Sequence, residues 1–323
     1  MRVLVTGATG FVGTALCRRT HQEGWLVRGA VRNISDKERL PQGVEAAPIG
    51  SIGPDTQWES ALAGVDIVVH LAARTHVTRE IAPDPLRAFR FVNVQGTERL
   101  ARVAAASGVK RFVYLSSVKV NGEGREEPYT ELDPPAPEDP YGISKWETEQ
   151  LLLRIAAETG MEIVIIRPPL VYGPGVKANF LTLMNIVARG VPLPFATVNN
   201  HRSLIYLDNL VDVIVACSTR PEAAGKTYLV SDATAVSTPE LIRQIALAFD
   251  RPARLFTLSP QLLRFAAKLL NKTSTVDRLL GSLTVNTSKI RKELGWQPPY
   301  TMKDGLRKTA AWYMNTSKVE NSR

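Results

Sequence analysis

Six short runs rich in Val and Ile, at residues 3–6, 26–31, 44–49, 65–71, 112–116 and 162–167, alternate with helical patterns through the first half of the chain. Their hydrophobicity is continuous rather than alternating, as strands covered on both faces require. The helical stretches between them supply the crossovers that parallel strands need. The expected fold is α/β, a doubly wound parallel sheet with helices on both faces. One helix, at about 141–158, is punctuated at both ends, with Asp139 as N-cap, Pro140 at the first helical position and Gly160 just beyond the last turn.

After residue 167 the rhythm breaks into Pro168-Pro169-Leu170-Val171-Tyr172-Gly173-Pro174-Gly175, a turn-rich stretch expected to leave the sheet. A second, smaller and mainly helical region starts there. Short strands at 203–207 and 227–230 are expected to return to the sheet, and Thr238-Pro239-Glu240 opens a further capped helix. This divides the chain into a sheet domain of 1–167 plus about 203–232, a substrate-binding region of 168–202 plus about 233–315, and a flexible tail at 316–323.

With 323 residues, 44% of them hydrophobic, the chain can bury at least one full core, and no internal repeat is visible. Its longest apolar stretches, such as 65–73, fall short of the ~20 residues a membrane span needs. Met1-Arg2-Val3 runs straight into a strand, so no leader and a cytoplasmic location are expected. Cys17 and Cys217 fall in helical segments as core fillers. His21, His70, His76 and His201 lack metal-ligand spacing, and no metal site is expected. The net charge of +9 comes from the last quarter. Residues 1–250 hold 26 Lys and Arg against 27 Asp and Glu, whereas 251–323 hold 14 against 4. That asymmetry suits an acidic ligand or surface near the C-terminal part; no nucleic-acid module accompanies it, and no nucleic-acid partner is expected.

Between the first strand and the first helix stands Thr6-Gly7-Ala8-Thr9-Gly10-Phe11-Val12-Gly13. Gly7 suits a tight turn, Gly10 a close approach of backbone to a pyrophosphate, and Gly13 a close helix–strand contact, while the helix amides supply the positive end. The sheet is thus of the Rossmann type, and the ligand a dinucleotide. The residue type closing the second strand separates NAD from NADP: a carboxylate binds a ribose 2′-hydroxyl, an Arg a 2′-phosphate. Here the run is Arg28-Gly29-Ala30-Val31-Arg32-Asn33, with no carboxylate and with Arg32 in the selecting place, so NADP(H) is expected to be preferred, with NAD(H) accepted.

Tyr141 and Lys145 stand one helical turn apart on a common face, and Ser117 follows the strand at 112–116, at the edge where parallel sheets bind ligands. Exchange of hydride between a nicotinamide and an alcohol or ketone needs an acid/base whose pKa is drawn toward neutrality. A phenol beside an ammonium meets that need. Tyr141 is the expected acid/base, Lys145 the group that lowers its pKa and holds the cofactor ribose, and Ser117 the group that orients the carbonyl.

These motifs, with His70-Leu71-Ala72-Ala73, Asn93-Val94-Gln95-Gly96-Thr97, Ser116-Ser117, Tyr141-Gly142-Ile143-Ser144-Lys145 and Arg167-Pro168, resemble the extended short-chain dehydrogenase/reductase family, in its sugar-nucleotide epimerase/dehydratase branch, over nearly the whole chain. The resemblance implies that Gly7, Gly10, Phe11, Val12, Gly13, Arg32, Leu71, Ala72, Ala73, Asn93, Ser116, Tyr141, Lys145 and Pro168 contact the cofactor. His70 is read as a packed core histidine. It further implies that Ser117, Asn179, Arg202 and Arg278 bind a nucleotide-diphosphate sugar, for which the planar fork of Arg is suited. The resemblance also implies a homodimer through helices near 86–106 and 146–157.

Sugar-nucleotide 4,6-dehydratases of the family carry an Asp-Glu pair after the catalytic hydroxyl; here Val118-Lys119 follows Ser117, which disfavours dehydration. Lack of the acidic NAD-selecting residue favours a reductase over an epimerase. The runs at 116–122 and 167–177 look most similar to the bacterial branch with 4-keto reductases making N-acetylquinovosamine. The expected reaction is reduction of a UDP-2-acetamido-2,6-dideoxy-4-hexulose at carbon 4 in polysaccharide biosynthesis. UDP-sugar 4-epimerisation, of UDP-glucose or UDP-N-acetylglucosamine, is the alternative. A non-catalytic NADP-binding sensor is a distant one, since such proteins typically lack the Tyr and Lys present here. Finally, residues 259–271 place Leu262, Leu263, Phe265, Ala266, Leu269 and Leu270 among Arg264, Lys268 and the adjacent Lys272. The pattern fits a helix over the substrate cleft, or one touching an anionic membrane or a lipid-linked sugar.

Overall fold

The computed structural model of the chain describes residues 1–75, 82–269, 277 and 279–320. Seven parallel strands form the central sheet: β1 (Arg2–Thr6), β2 (Leu26–Val31), β3 (Glu45–Pro48), β4 (Ile67–His70), β5 (Arg111–Leu115), β6 (Glu162–Arg167) and β9 (Thr227–Leu229), in the order β3-β2-β1-β4-β5-β6-β9. β7 (Leu170–Tyr172) and β8 (Leu204–Tyr206) form a separate parallel pair.

The helices are α1 (Phe11–Gln22), α2 (Glu59–Leu62), α3 (Pro85–Phe89), α4 (Gly96–Ala106), α5 (Pro140–Thr159), α6 (Ala178–Ala188), α7 (Leu207–Thr219), α8 (Thr238–Ala248), α9 (Pro260–Leu269), α10 (Ser288–Leu294) and α11 (Met302–Glu320). Alternate residues of each strand point to opposite layers, as a pleat requires. Val3, Val5, Val69 and Val164 pack with Leu16, Leu210 and Ile214 on one face; Leu4, Val68, Phe112 and Ile163 pack with Leu100, Leu152 and Ile155 on the other.

The strand order reverses between β1 and β4, and the crevice at their carboxyl ends is where such sheets hold ligands. The glycine turn leaves β1 there, and the loop 71–75 leaves β4. Two expectations about the later strands are corrected. Residues 203–207 do not return to the central sheet; Leu204–Tyr206 pairs with Leu170–Tyr172, a strand inside the stretch expected to be turns. The cause lies at Pro168 and Pro169, which have no N–H for the β6 ladder and release the chain to pair elsewhere. Thr227–Leu229 does join the sheet, beside β6. Residues 316–320, expected in a flexible tail, instead continue α11, which runs through Glu320.

Candidate active site

The glycine turn is shaped by contacts that leave no room for side chains. Gly10 N–H donates to the Gly7 carbonyl at 2.9 Å. Gly7 has φ +67°, and a Cβ there would meet Ala72 N at 3.0 Å; a Cβ on Gly13 would lie 2.0 Å from the Gly7 oxygen. A Cβ on Gly10 would meet only the Gly7 oxygen, so the exposed side of this turn is an open cradle. Phe11, Val12 and Gly13 fill the first turn of α1, whose amides have no partner within the helix and which carries no acidic residue. These residues fit the pyrophosphate of a dinucleotide. Arg32, just past β2, is exposed.

Opposite the turn, the strand end of β4 is pinned by His70. Thr6 Oγ1 accepts from the amides of Leu71 (3.2 Å) and Ala72 (3.1 Å) and lies 2.7 Å from His70 Nδ1. With both lone pairs of the hydroxyl used, its proton goes to Nδ1, and Nε2–H donates to Thr97 Oγ1 at 2.9 Å. Burial pulls His70 down to about 3, with the charge of Lys145 adding to the effect, so the ring stays neutral. His70 is a packed core histidine. Through Thr6 it holds Leu71 and Ala72 against Gly7.

Tyr141, Ser117 and Lys145 come together at the carboxyl end of β5. Asp139 caps α5 by accepting the Gly142 amide at 2.7 Å, which sets the first turn and aims Tyr141. Tyr141 hydrogen-bonds Ser117. Burial and then the nearby Asp139 charge hold its phenol above the ordinary range, and the Ser117 bond opposes them. One turn on, Lys145 is buried; its Nζ donates to the Leu115 carbonyl at 2.7 Å and lies 5.8 Å from the Tyr141 ring centre. Burial pulls this ammonium down to about 7, with Glu149 opposing. The arrangement is a phenol, a hydroxyl and an ammonium at one point, able to move a proton at a substrate oxygen.

Two expected cofactor residues engage protein partners through their side chains. Ser116 donates its hydroxyl to Glu149, which turns it into the protein. Asn93 lies in a π-helical turn (Arg90–Gln95), accepts the Arg74 amide at 2.7 Å, and donates to the Arg74 carbonyl and to Ser144 Oγ at 3.0 and 2.9 Å. It fixes the loop after β4 to α5. Pro168 is buried, and its carbonyl accepts the Val118 amide at 3.0 Å. Asn179 is exposed in the first turn of α6. Arg202 donates to the Gly281 carbonyl at 3.0 Å. Arg278 and His76 lie outside the described residues, as do Leu270 and Lys272. On α9, Leu263 is buried while Leu262 and Phe265 are exposed.

Sequence reasoning missed the buried support behind the trio. Glu149 is 1% exposed and pairs with Arg167 through Nε (3.0 Å) and Nη2 (2.5 Å), and Arg167 Nη1 reaches Asn121 Oδ1 at 3.1 Å. This network joins the ends of β5 and β6 to α5. Its legible signal is a glutamate one turn past Lys145 on a stripe that continues to Leu152. Lys119 was legible only as a missing carboxylate; its Nζ lies 2.5 Å from Asp139 and 2.6 Å from Glu123.

A glycine turn at the switch point of a doubly wound sheet, with a Tyr-Lys pair and a Ser at its mouth, defines a dinucleotide-binding enzyme of the short-chain dehydrogenase type. The chain belongs to the NAD dependent epimerase/dehydratase family, whose model matches residues 3–231. It is 44% identical to a UDP-glucose 4-epimerase of Vibrio cholerae over 98% of this chain and 96% of that protein. It is 28% identical to the N-acetyl-alpha-D-glucosaminyl-diphospho-ditrans,octacis-undecaprenol 4-epimerase of Escherichia coli O157:H7, over 99% of this chain and 97% of that one. Among solved structures, MoeE5 in complex with UDP-glucose and NAD matches in fold with a TM-score of 0.76 at 23% identity, covering 98% of this chain and 100% of MoeE5.

Proposed function

We propose that the protein is a UDP-sugar 4-epimerase that keeps NAD bound through both halves of the reaction. The observation that carries this reading is the meeting of Tyr141, Ser117 and Lys145 at the carboxyl end of β5. The identity to the Vibrio cholerae protein supports epimerisation in preference to the reduction favoured by sequence alone. Loss of water is disfavoured, since Val118 is buried and Lys119 is a cation paired to Asp139 and Glu123.

Bound nicotinamide would supply reversible two-electron oxidation at carbon 4 of the sugar. Tyr141 takes the proton of the 4-hydroxyl and later returns it. Ser117 orients that oxygen through its hydroxyl. Lys145 favours the phenolate electrostatically, and a phenolate beside it restores the ammonium form that burial disfavours. The amides of Phe11, Val12 and Gly13 hold the pyrophosphate, and Leu71, Ala72, Ala73 and Pro168 wall the cleft. Asn179, Arg202 and Arg278 hold the UDP diphosphate. The test is to give purified protein UDP-glucose or UDP-N-acetylglucosamine with no added cofactor and follow the galacto epimer by NMR. No interconversion of either sugar would exclude this reading.

Arg32 favours a second reading, an NADPH-dependent 4-keto reductase, because the end of β2 offers an exposed cation and no carboxylate. Stoichiometric loss of NADPH absorbance on a UDP-linked 4-keto-6-deoxy-N-acetylhexosamine would select it. For partners, the reading adds a homodimer through α4 and α5, checked by light scattering. It also adds contact of α9 with anionic lipid through Leu262, Phe265 and Lys268, checked by sedimentation with anionic vesicles at low salt.

A further inference from the structure

Lys119 touches two polar neighbours of Tyr141, Ser117 and Asp139. Its backbone N–H donates to Ser117 Oγ at 3.2 Å, within a single 3₁₀ turn (Val118–Val120) that Ser117 caps. Its ammonium lies 2.5 Å from Asp139 Oδ2, while Asp139 Oδ1 accepts the Gly142 amide and so starts the helix that carries Tyr141. The Lys119 side chain is 14% exposed and that of Asp139 27%, so water screens this pair only in part. A second carboxylate, Glu123, holds the ammonium from its other side at 2.6 Å.

Several of the described groups face Tyr141. From its own helix come Asp139 and Lys145. The 3₁₀ turn presents Ser117, β5 presents Tyr114, and α3 presents the ring of Phe89, over which the Arg74 guanidinium lies. Among these described groups Asp139 carries the negative charge, and a carboxylate two residues away opposes formation of a phenolate. An acid/base phenol therefore needs that charge answered, and Lys119 answers it.

We propose, resting on the function above, that Lys119 is a positioning residue for Tyr141: its N–H fixes the Ser117 hydroxyl while its ammonium neutralises Asp139. The proton of Tyr141 then leaves beside a charge that the ammonium offsets in part. The Asp139 carboxylate is thereby kept as a helix cap at a reduced electrostatic cost to the phenol. The position two residues after Ser117 thus bears on the acid/base step through charge, without touching substrate.

The test is a charge cycle read as pH dependence. Lys119→Met should move the acidic limb of the kcat profile up by about one pH unit, the order expected for loss of a close opposite charge. Asp139→Asn, which keeps a good cap, should move it down. The double variant should return to the limb of the intact protein, and Lys119→Arg should hold it. A loss of packing alone would lower kcat without opposite shifts that cancel. A second readout needs no turnover: in 3-fluorotyrosine-labelled protein with NAD added, the fluorine resonance that disappears in Tyr141→Phe should titrate in the same order. Shifts of the same sign for the two single variants, or no shift in either, would overturn the role of Lys119. If no UDP-sugar is turned over, the proposed function fails, and the fluorine titration decides the Lys119 role separately.

Discussion

At Gly13 the place of a side chain is already taken by the backbone of Gly7, 2.0 Å from where a Cβ would stand. Gly13→Ala must push the turn off α1, so binding of NAD measured by calorimetry should be lost, and stability should fall by about 1–3 kcal/mol. Tyr141→Phe leaves the cleft intact and removes only the proton carrier. Turnover should drop by about 10²–10⁴-fold with NAD binding unchanged. His70 gives a prediction with a sign. Its folded-state pKa is depressed to about 3, whereas an unfolded chain protonates it near 6.5. Between those values the unfolded state binds the extra proton, so stability falls as pH drops through that window. In urea titrations from pH 7 to pH 4, His70→Gln should lose less stability than the intact chain. Single residues were the most legible scale. The expected roles of glycines and of a Tyr-Lys pair follow from local spacing, and the structure sets Tyr141 beside Ser117 and Lys145, and Gly7 against Ala72. What spacing could not show is where a side chain with several partners points: Ser116 and Asn93 sit beside the cleft, yet their polar atoms are engaged by Glu149, Arg74 and Ser144.

Among elements, α5 was readable almost to the residue because its stops are chemical: Asp139 caps, Pro140 starts, and Gly160 ends it in a left-handed turn at φ +75°. β7 and β8 were not. Each has three residues, too few to show a period, and their pairing is decided by what the prolines after β6 forbid and by which strand lies near in space. The element that carries most risk is the junction of α5 with β6. Glu149 and Arg167 are 1% and 4% exposed, and removing one partner leaves a buried charge alone. Glu149→Ala should therefore cost about 3–5 kcal/mol in chemical denaturation. Replacing the pair together by apolar residues should cost much less. That comparison separates the burial of an orphan charge from the loss of the contact itself.

On the scale of the whole molecule, the division into a sheet domain and a substrate region does not correspond to two separate cores. Val3 and Val5 of β1 belong to the same buried cluster as Ile290, Leu294, Trp296 and Leu306, which lie at the other end of the chain. Calorimetry should accordingly record a single unfolding transition, and a chain cut after residue 232 should fail to give a cooperative one. The charge imbalance of the last quarter could be counted in the sequence, but how its elements close over the sheet could not, because that packing is long-range. The position of β9 has a further consequence for how the protein is made. β6 is complete at Arg167, yet its neighbour on that edge, Thr227–Leu229, is translated some sixty residues later. At about 5–20 residues per second, a ribosome would leave that edge unpaired for roughly 3–12 s. During that interval the nascent chain presents an apolar strand with open hydrogen-bonding groups, the kind of surface on which chaperones act and neighbouring polypeptides on a polysome can cross-pair.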